Sequence, residues 1–195
     1  MTLDKAILRE LAVGIDVTSY LRIMDARHRK APIGMGNGKT RFASPSDSFQ
    51  LLYVAQDLPT ALAEAIIRDR YQGRLKRELL EEELDESVIA SMVSLAPLKV
   101  LDLRTSGATR LGVPTNAMRG RAQQSGRRFS QELYDTTDFD GIVYMSRITN
   151  AECIAIYDRA AEPKLDSDCP VADLVRLADL EPALRSLNVS LIKKS

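Results

Sequence analysis

Between residues 41 and 67 the chain sets a buried strand directly before an apolar helix, and that helix contains a carboxylate. Phe49, Leu51, Leu52, Tyr53 and Val54 are the aromatic and aliphatic residues that a buried strand favours. Asp57-Leu58-Pro59-Thr60 then opens a helix, with Asp57 or Leu58 just outside and Pro59 near the first helical position, where its missing N–H costs nothing. Glu64 follows among Ala61, Leu62, Ala63, Ala65, Ile66 and Ile67. An ionised carboxylate in such surroundings is expensive unless cations or hydrogen bonds compensate it. A helical glutamate can also simply face water beside Arg68. The shortage of other polar residues around Glu64 weighs against that and points to a lined cleft. Arg41 and Tyr53 lie shortly upstream, and Arg22 sits in another expected strand, Val17–Met24. Two arginines, a tyrosine and a carboxylate from consecutive elements form the candidate constellation.

Composition prunes the chemistry around it. A chain of 195 residues with 45% hydrophobic and 28% charged residues fits one soluble domain with a real core. Lys plus Arg equals Asp plus Glu, 27 against 27, so no global field recruits nucleic acid or anionic membrane. The N-terminal stretch is mixed and charged, which predicts no signal peptide, and no segment has the length of a membrane span. Cys153 falls in an expected strand and Cys169 in a loop, without CxxC spacing, as expected of a reduced cytoplasmic protein. His28 is the one histidine and sits in the basic run Arg27–Lys30, which disfavours a zinc site or a Ser-His-Asp mechanism. No phosphate-loop motif is present, and Gly34, Gly36 and Gly38 read as a flexible loop between Arg22 and Arg41.

Along the chain, periodicity predicts a helix over Leu3–Ala12 ending at Gly14, strands over Val17–Met24 and Phe49–Ala55, and a helix over Pro59–Tyr71. Arg74–Glu86 reads as a solvated charged turn, followed by strands over Val88–Leu95 and Leu98–Leu103. Thr105–Arg128 holds four glycines, one proline and Arg110, Arg119, Arg121, Arg127 and Arg128. It is expected to form short helical turns and a long mobile loop over one mouth of the fold, either simply solvated or binding phosphate or a partner. A short helix at Phe129–Asp135, strands over Ile142–Ser146 and Glu152–Tyr157, a helical Val171–Leu187 broken at Pro182, and an edge strand at Asn188–Ile192 complete the chain. Uneven interleaving predicts an α+β fold around a mixed or antiparallel sheet with flanking helices.

Taken together, Tyr20-Leu-Arg22, Arg41-Phe42, Leu52-Tyr53-Val-Ala, Ala61-Leu-Ala-Glu64, Asp140-Gly-Ile-Val-Tyr-Met-Ser146-Arg147 and Cys153-Ile-Ala-Ile-Tyr-Asp-Arg159 resemble the RES domain family, in order and spacing, from about Tyr20 to Arg159. The resemblance implies one RES domain over residues 1–195, with a helix before the core and a helix and strand after it, and a fold similar to ADP-ribosyltransferase toxins. It implies a cytoplasmic toxin held by an Xre-type, helix-turn-helix antitoxin in a hetero-oligomer. NAD is the implied substrate, with no metal, no direct nucleic-acid contact and no membrane. Its nicotinamide–ribose bond would be cleaved by phosphorolysis or hydrolysis. Alternatives are mono-ADP-ribosylation of a cellular protein and a catalytically inactive partner-binding scaffold. Matched to the family's pattern, Glu64, Arg22 and Tyr53 are catalytic, and Arg22, Arg41, Tyr53 and Ser146 bind NAD. The long Thr105–Arg128 segment departs from compact members; it and the Arg27–Lys30 loop are the expected rims for the antitoxin.

Overall fold

The computed structural model describes residues 3–68, 70–71, 74–113, 123–168 and 171–193. Its main sheet has nine strands, in the order β1 (Ala12–Ile15), β6 (Leu98–Asp102), β7 (Gly141–Met145), β8 (Glu152–Tyr157), β3 (Leu51–Ala55), β2 (Leu21–Asp25), β5 (Ser87–Ser94) and β10 (Ala172–Asp173), with β9 (Leu165–Ser167) also on β5. β6 and β7 run parallel and the other paired neighbours antiparallel. The sheet is therefore mixed and the class α+β, as expected from the sequence. A parallel pair needs a long crossover. Here it carries α3 (Gly107–Arg110) and α4 (Gln124–Thr136).

Alternation sorts the strand residues onto two faces. Leu51, Ile142, Ala155 and Tyr157 join Phe42, Phe49, Phe129, Leu133 and the residues Leu8 and Leu11 of the α1 region (Lys5–Glu10) in one core. Leu52, Val54, Val143, Ile154 and Ile156 face the opposite way, onto Ala160 and Ala161 of α5 (Asp158–Lys164). A third core packs Leu62 of α2 (Leu58–Leu62) and Ile67 against Leu180 and Leu184 of α6 (Leu180–Ser186).

Several local expectations are corrected. The first helix ends at Glu10 and Gly14 lies inside β1, whose pairing with β6 outweighs glycine's poor strand preference. The strand expected at Val17–Met24 begins at Leu21, after a turn in which Ser19 has a positive φ of 71°. The charged Arg74–Glu86 segment contains β4 (Glu78–Leu80), because Leu79 and Leu84 are fully buried in the third core. Asn188–Ile192 yields β11 (Ser190–Ile192), which pairs in parallel with β4 in a separate two-stranded sheet. The helix expected over Val171–Leu187 is instead β10, a 3-10 turn at Leu174–Arg176 and the short α6, in whose first turn Pro182 is tolerated. Of the Thr105–Arg128 segment, residues 114–122, with Arg119 and Arg121, lie outside the described residues, as does Cys169. The rest is helical at both ends, and the helix expected at Phe129–Asp135 extends over 13 residues.

One irregularity positions the site. β2 and β3 pair at Leu21 and Ala55 alone among the described residues, so the strands splay beyond that point. The segment linking them passes through residues 26–50 and returns beside β3, where Gly36 bridges to Leu51. A cleft opens where the two strands part.

Candidate functional site

Glu64 reaches this cleft from the helix after β3. The Asp57 Oδ1 caps that helix by accepting the Thr60 N–H at 2.8 Å, and Pro59 lies in its first turn. The helix widens into a π-helical turn over Ala63–Ile67, and Glu64 is on that turn. π-turns shift the residues they carry relative to a regular helix and recur at functional sites. The Ser146 hydroxyl donates to Glu64 Oε1 at 2.7 Å, and Arg68 Nη1 lies 3.5 Å from Oε2. The carboxylate, 21% exposed, is thus oriented from two sides.

Ser146 is itself held by the β7–β8 turn. Its hydroxyl accepts from Ile148 N–H at 3.2 Å, and the turn closes with Asn150 at a φ of 54°. Asn tolerates that left-handed conformation better than most residues. Thr60 and Thr149 share a 2.8 Å hydroxyl contact, which ties the turn to the start of the Glu64 helix.

Tyr144 and Cys153 are cross-strand partners on β7 and β8, and Cys153 also faces Ala55 on β3. This row and Tyr53 form an apolar wall of a cleft of about 170 Å³, with Arg22, Arg41, Arg68, Arg147 and Glu64 as its charged lining. Burial pushes the Cys153 thiol up to about 12, with Glu64 adding to the shift. The cysteine is therefore a neutral wall residue rather than a nucleophile. Burial likewise raises the Tyr144 phenol well above its ordinary value.

Tyr53 works on the loop above it. Its hydroxyl pairs with Thr40 Oγ1 at 2.8 Å and accepts Phe42 N–H at 3.3 Å, and burial raises it to about 12. Phe42 packs edge-on against Tyr144, ring centroids 5.2 Å apart. Arg41 is thereby fixed between two anchored residues. Its guanidinium is lowered from its ordinary value by burial first and by Arg147 next, while Tyr144 and Glu64 oppose the shift.

The structure brings all five sequence-predicted residues to this region: Arg22, Arg41, Tyr53 and Glu64 line the cleft, and Ser146 supports Glu64 from behind. Arg22 Nη1 donates to the carbonyls of Pro32 and Gly34, each at 2.6 Å, so part of its guanidinium holds the loop. Three more loop-related cations are likewise engaged. Arg127 donates from Nε to Thr40 O at 3.2 Å and from Nη2 to Gly38 O at 3.1 Å. Arg29 binds Val171 O at 2.7 Å and pairs with Asp173, and Arg110 pairs with Glu10. Within the described parts of the two basic segments, these arginines brace the fold.

The family pattern of the RES domain matches residues 18–179. The chain belongs to the RES domain family. Over 94 residues, 47% of this chain and 73% of the relative, it is 37% identical to a Sinorhizobium fredii (strain NBRC 101917 / NGR234) protein named "Probable toxin y4kH". Its fold matches a chain from the crystal structure of the M. tuberculosis MbcT–MbcA toxin–antitoxin complex at a TM-score of 0.64 and 16% identity, covering 86% of this chain and 91% of that one. At that identity the likeness concerns the fold.

Sequence reasoning missed Arg68, Tyr144, Arg147 and Cys153 as lining residues of this RES domain. Arg68 was legible as the i+4 neighbour of Glu64, and Tyr144 shares the face of Ser146 by the strand period of two. Arg147 and Cys153 fall within the stretches that resemble the family, but their place in the cleft wall was not legible there, because it depends on how β7, β8 and β3 pair.

Proposed function

We propose that this RES domain protein is the cytoplasmic toxin of a toxin–antitoxin pair and consumes NAD by cleaving the nicotinamide–ribose bond, by phosphorolysis or hydrolysis. The observation that carries the reading is an oriented carboxylate, Glu64, in a cleft otherwise charged by arginines. Cleavage breaks the C1′–N bond, and its electron pair neutralises the pyridinium nitrogen as nicotinamide leaves. An oxygen of water, whose proton passes to solvent, or an ionised oxygen of phosphate then bonds to C1′. Positive charge grows on the ribose as the bond stretches, and a fixed carboxylate stabilises that charge as it forms. Glu64 takes this role and Ser146 holds it in place. Arg22 and Arg41 bind the anionic part of NAD, because planar guanidinium forks match phosphate oxygens. Tyr53 braces the Thr40–Phe42 segment and gives the nicotinamide ring a flat neighbour. The resemblance of parts to named toxins supports the biological role.

The test is NAD loss with product identification for wild type and Glu64→Gln. The variant keeps the shape and removes the charge, so turnover should fall by about a hundredfold or more while NAD still binds. Near wild-type turnover in Glu64→Gln would overturn the catalytic assignment, and no NAD loss in either protein would favour a partner-binding scaffold.

A second reading, transfer of ADP-ribose to a protein, is favoured by Ile148. It is 43% exposed and follows the cleft-lining Arg147 in the β7–β8 turn, an apolar contact for a protein acceptor. A modified protein among the reaction products would decide for it. We also infer that a helix-turn-helix antitoxin of Xre type closes the cleft by placing a carboxylate among its arginines. Purified complex titrated with NAD should show competitive inhibition; a bound antitoxin that leaves turnover unchanged refutes occlusion.

A further inference from the structure

The middle of the nine-stranded sheet is a seam. β2 meets β3 at Leu21 and Ala55 alone among the described residues, whereas β2 is paired along its length with β5, and β3 with β8. The cleft residues divide across that seam. Arg22 follows Leu21 on the β2 side, while the helix carrying Glu64 and the turn carrying Ser146 follow β3 and β7 on the other. The angle at the seam therefore sets how far Arg22 stands from the Glu64–Ser146 pair. Apolar packing around Met24, Val54 and Ile154 also spans the seam, but such packing has no direction.

A directional link crosses beside the Leu21–Ala55 pair. The hydroxyl of Tyr20, one residue before Leu21, donates to Glu152 Oε2 at 2.9 Å. Tyr20 itself is fixed to β5, since its carbonyl accepts Met92 N–H at 2.8 Å. Glu152 belongs to the other side of the seam. Its carbonyl accepts Gln56 N–H at 3.0 Å, and its own N–H donates to Gln56 Oε1 at 3.2 Å. Gln56 directly precedes Asp57, the cap of the Glu64 helix. The second carboxylate oxygen of Glu152 accepts from Arg104 Nη1. Arg104 is in turn locked on both oxygens of Asp102, through Nε at 3.0 Å and Nη2 at 2.6 Å. Glu152 is thus held in place by β3 and by Arg104, and a hydrogen bond to such a charged acceptor is stronger than one between neutral groups. Burial first, and then this bond, raise Tyr20 to about 12, so its hydroxyl remains a donor. Neither Tyr20 nor Glu152 is among the described residues that line the cleft.

We propose that Tyr20 and Glu152 clamp the seam and are positioning residues of the cleft, setting Arg22 at its working distance from Glu64 and Ser146. That they serve NAD turnover rests on the reading given above. The clamp itself is a statement about the seam and is measured without NAD. A small change of angle there displaces Arg22 relative to Glu64, and misplacing a group by a fraction of its reach is enough to slow a reaction.

The experiment compares wild type, Tyr20→Phe, Arg22→Lys, the double variant of the two, and Tyr134→Phe, each as the intact protein. Tyr134→Phe removes a hydroxyl that donates to Asp158 in the core on the other face of the sheet, so it controls for the loss of one tyrosine hydroxyl. Amide hydrogen exchange over residues 19–24 and 53–58 should be about tenfold faster in Tyr20→Phe than in wild type, and unchanged there in Tyr134→Phe. With NAD, Tyr20→Phe should lower kcat/KM about tenfold. The double variant should fall no further than Arg22→Lys alone, because the clamp acts through Arg22. Exchange at the wild-type rate in Tyr20→Phe overturns the clamp. Faster exchange with kcat/KM unchanged, or with losses that add in the double variant, overturns the positioning role, since a merely structural hydroxyl does not act through Arg22. If wild type consumes no NAD, the NAD reading fails by itself and the exchange rates decide the clamp. Should Tyr20→Phe fail to fold, Glu152→Gln carries the same test, because the amide replaces one accepting oxygen with a donor.

Discussion

Ser146 shows how much of a site can rest on one hydroxyl. It is 3% exposed, donates to Glu64 and accepts from the Ile148 backbone, so it joins the Glu64 carboxylate to the turn behind it. Ser146→Ala removes both contacts. Turnover of NAD should fall by roughly one to two orders of magnitude with little change in KM, because the carboxylate remains but loses its orientation. Folding stability should drop by about 1–2 kcal/mol for the unsatisfied turn N–H. Steady-state kinetics and denaturant titration separate the two effects; a rise in KM at constant kcat would place Ser146 on the substrate instead.

The loop before β3 and the β7–β8 pair behave as supports for these side chains. Arg127 projects from α4 and holds the Gly38 and Thr40 carbonyls from one side, while Arg22 holds Pro32 and Gly34 from the other. Arg127→Ala should loosen the residues that present Arg41 without touching the ligand. The expected outcome is faster limited proteolysis within residues 34–41 and a several-fold higher KM, with kcat at saturating NAD nearly kept. Unchanged protease sensitivity would show that Tyr53 and Arg22 suffice to fix the loop. In β7, Gly141 has no room for a side chain: a Cβ there would lie 2.3 Å from Ala155 O and 3.1 Å from Ile156 Cα. Gly141→Ala should therefore force β7 and β8 apart and cost about 1–3 kcal/mol or more, read as a lower midpoint in urea.

Across the molecule, buried neutral acids set the alkaline limit. Burial raises Cys153 from 9.0 to about 12, and raises Tyr53 and Tyr20 from 10.0 to about 12, Tyr20 with help from Glu152. In the unfolded chain these groups lose their protons first, between about pH 9 and 10, while the folded protein keeps them protonated until about pH 12. The folded state then binds more protons than the unfolded one, so stability falls as pH rises across that window. Their contribution is fully present below about pH 9. Thermal melts between pH 8 and 11 should show a Tm that holds to about pH 9 and then declines. A flat profile would mean that these groups are open to water in solution.

Much of this architecture could be read from local pattern. Asp57 and Pro59 marked the start of the helix, because capping and first-turn preferences act within a few residues. Strand alternation through Leu51–Ala55 and Glu152–Tyr157 was legible for the same reason, and the spacing of Arg22, Arg41, Tyr53, Glu64 and Ser146 carried the family. The splay of β2 from β3 was not legible, since both segments are good strands and only their competing partners β5 and β8 draw them apart. Neither was the structural use of Arg127, whose carbonyl partners lie 87 and 89 residues earlier in the chain. Nor could local pattern place Arg147 and Cys153 in the cleft wall. A residue's type limits the contacts it can make, but strand order and loop path choose among them, and those follow from burying several cores at once.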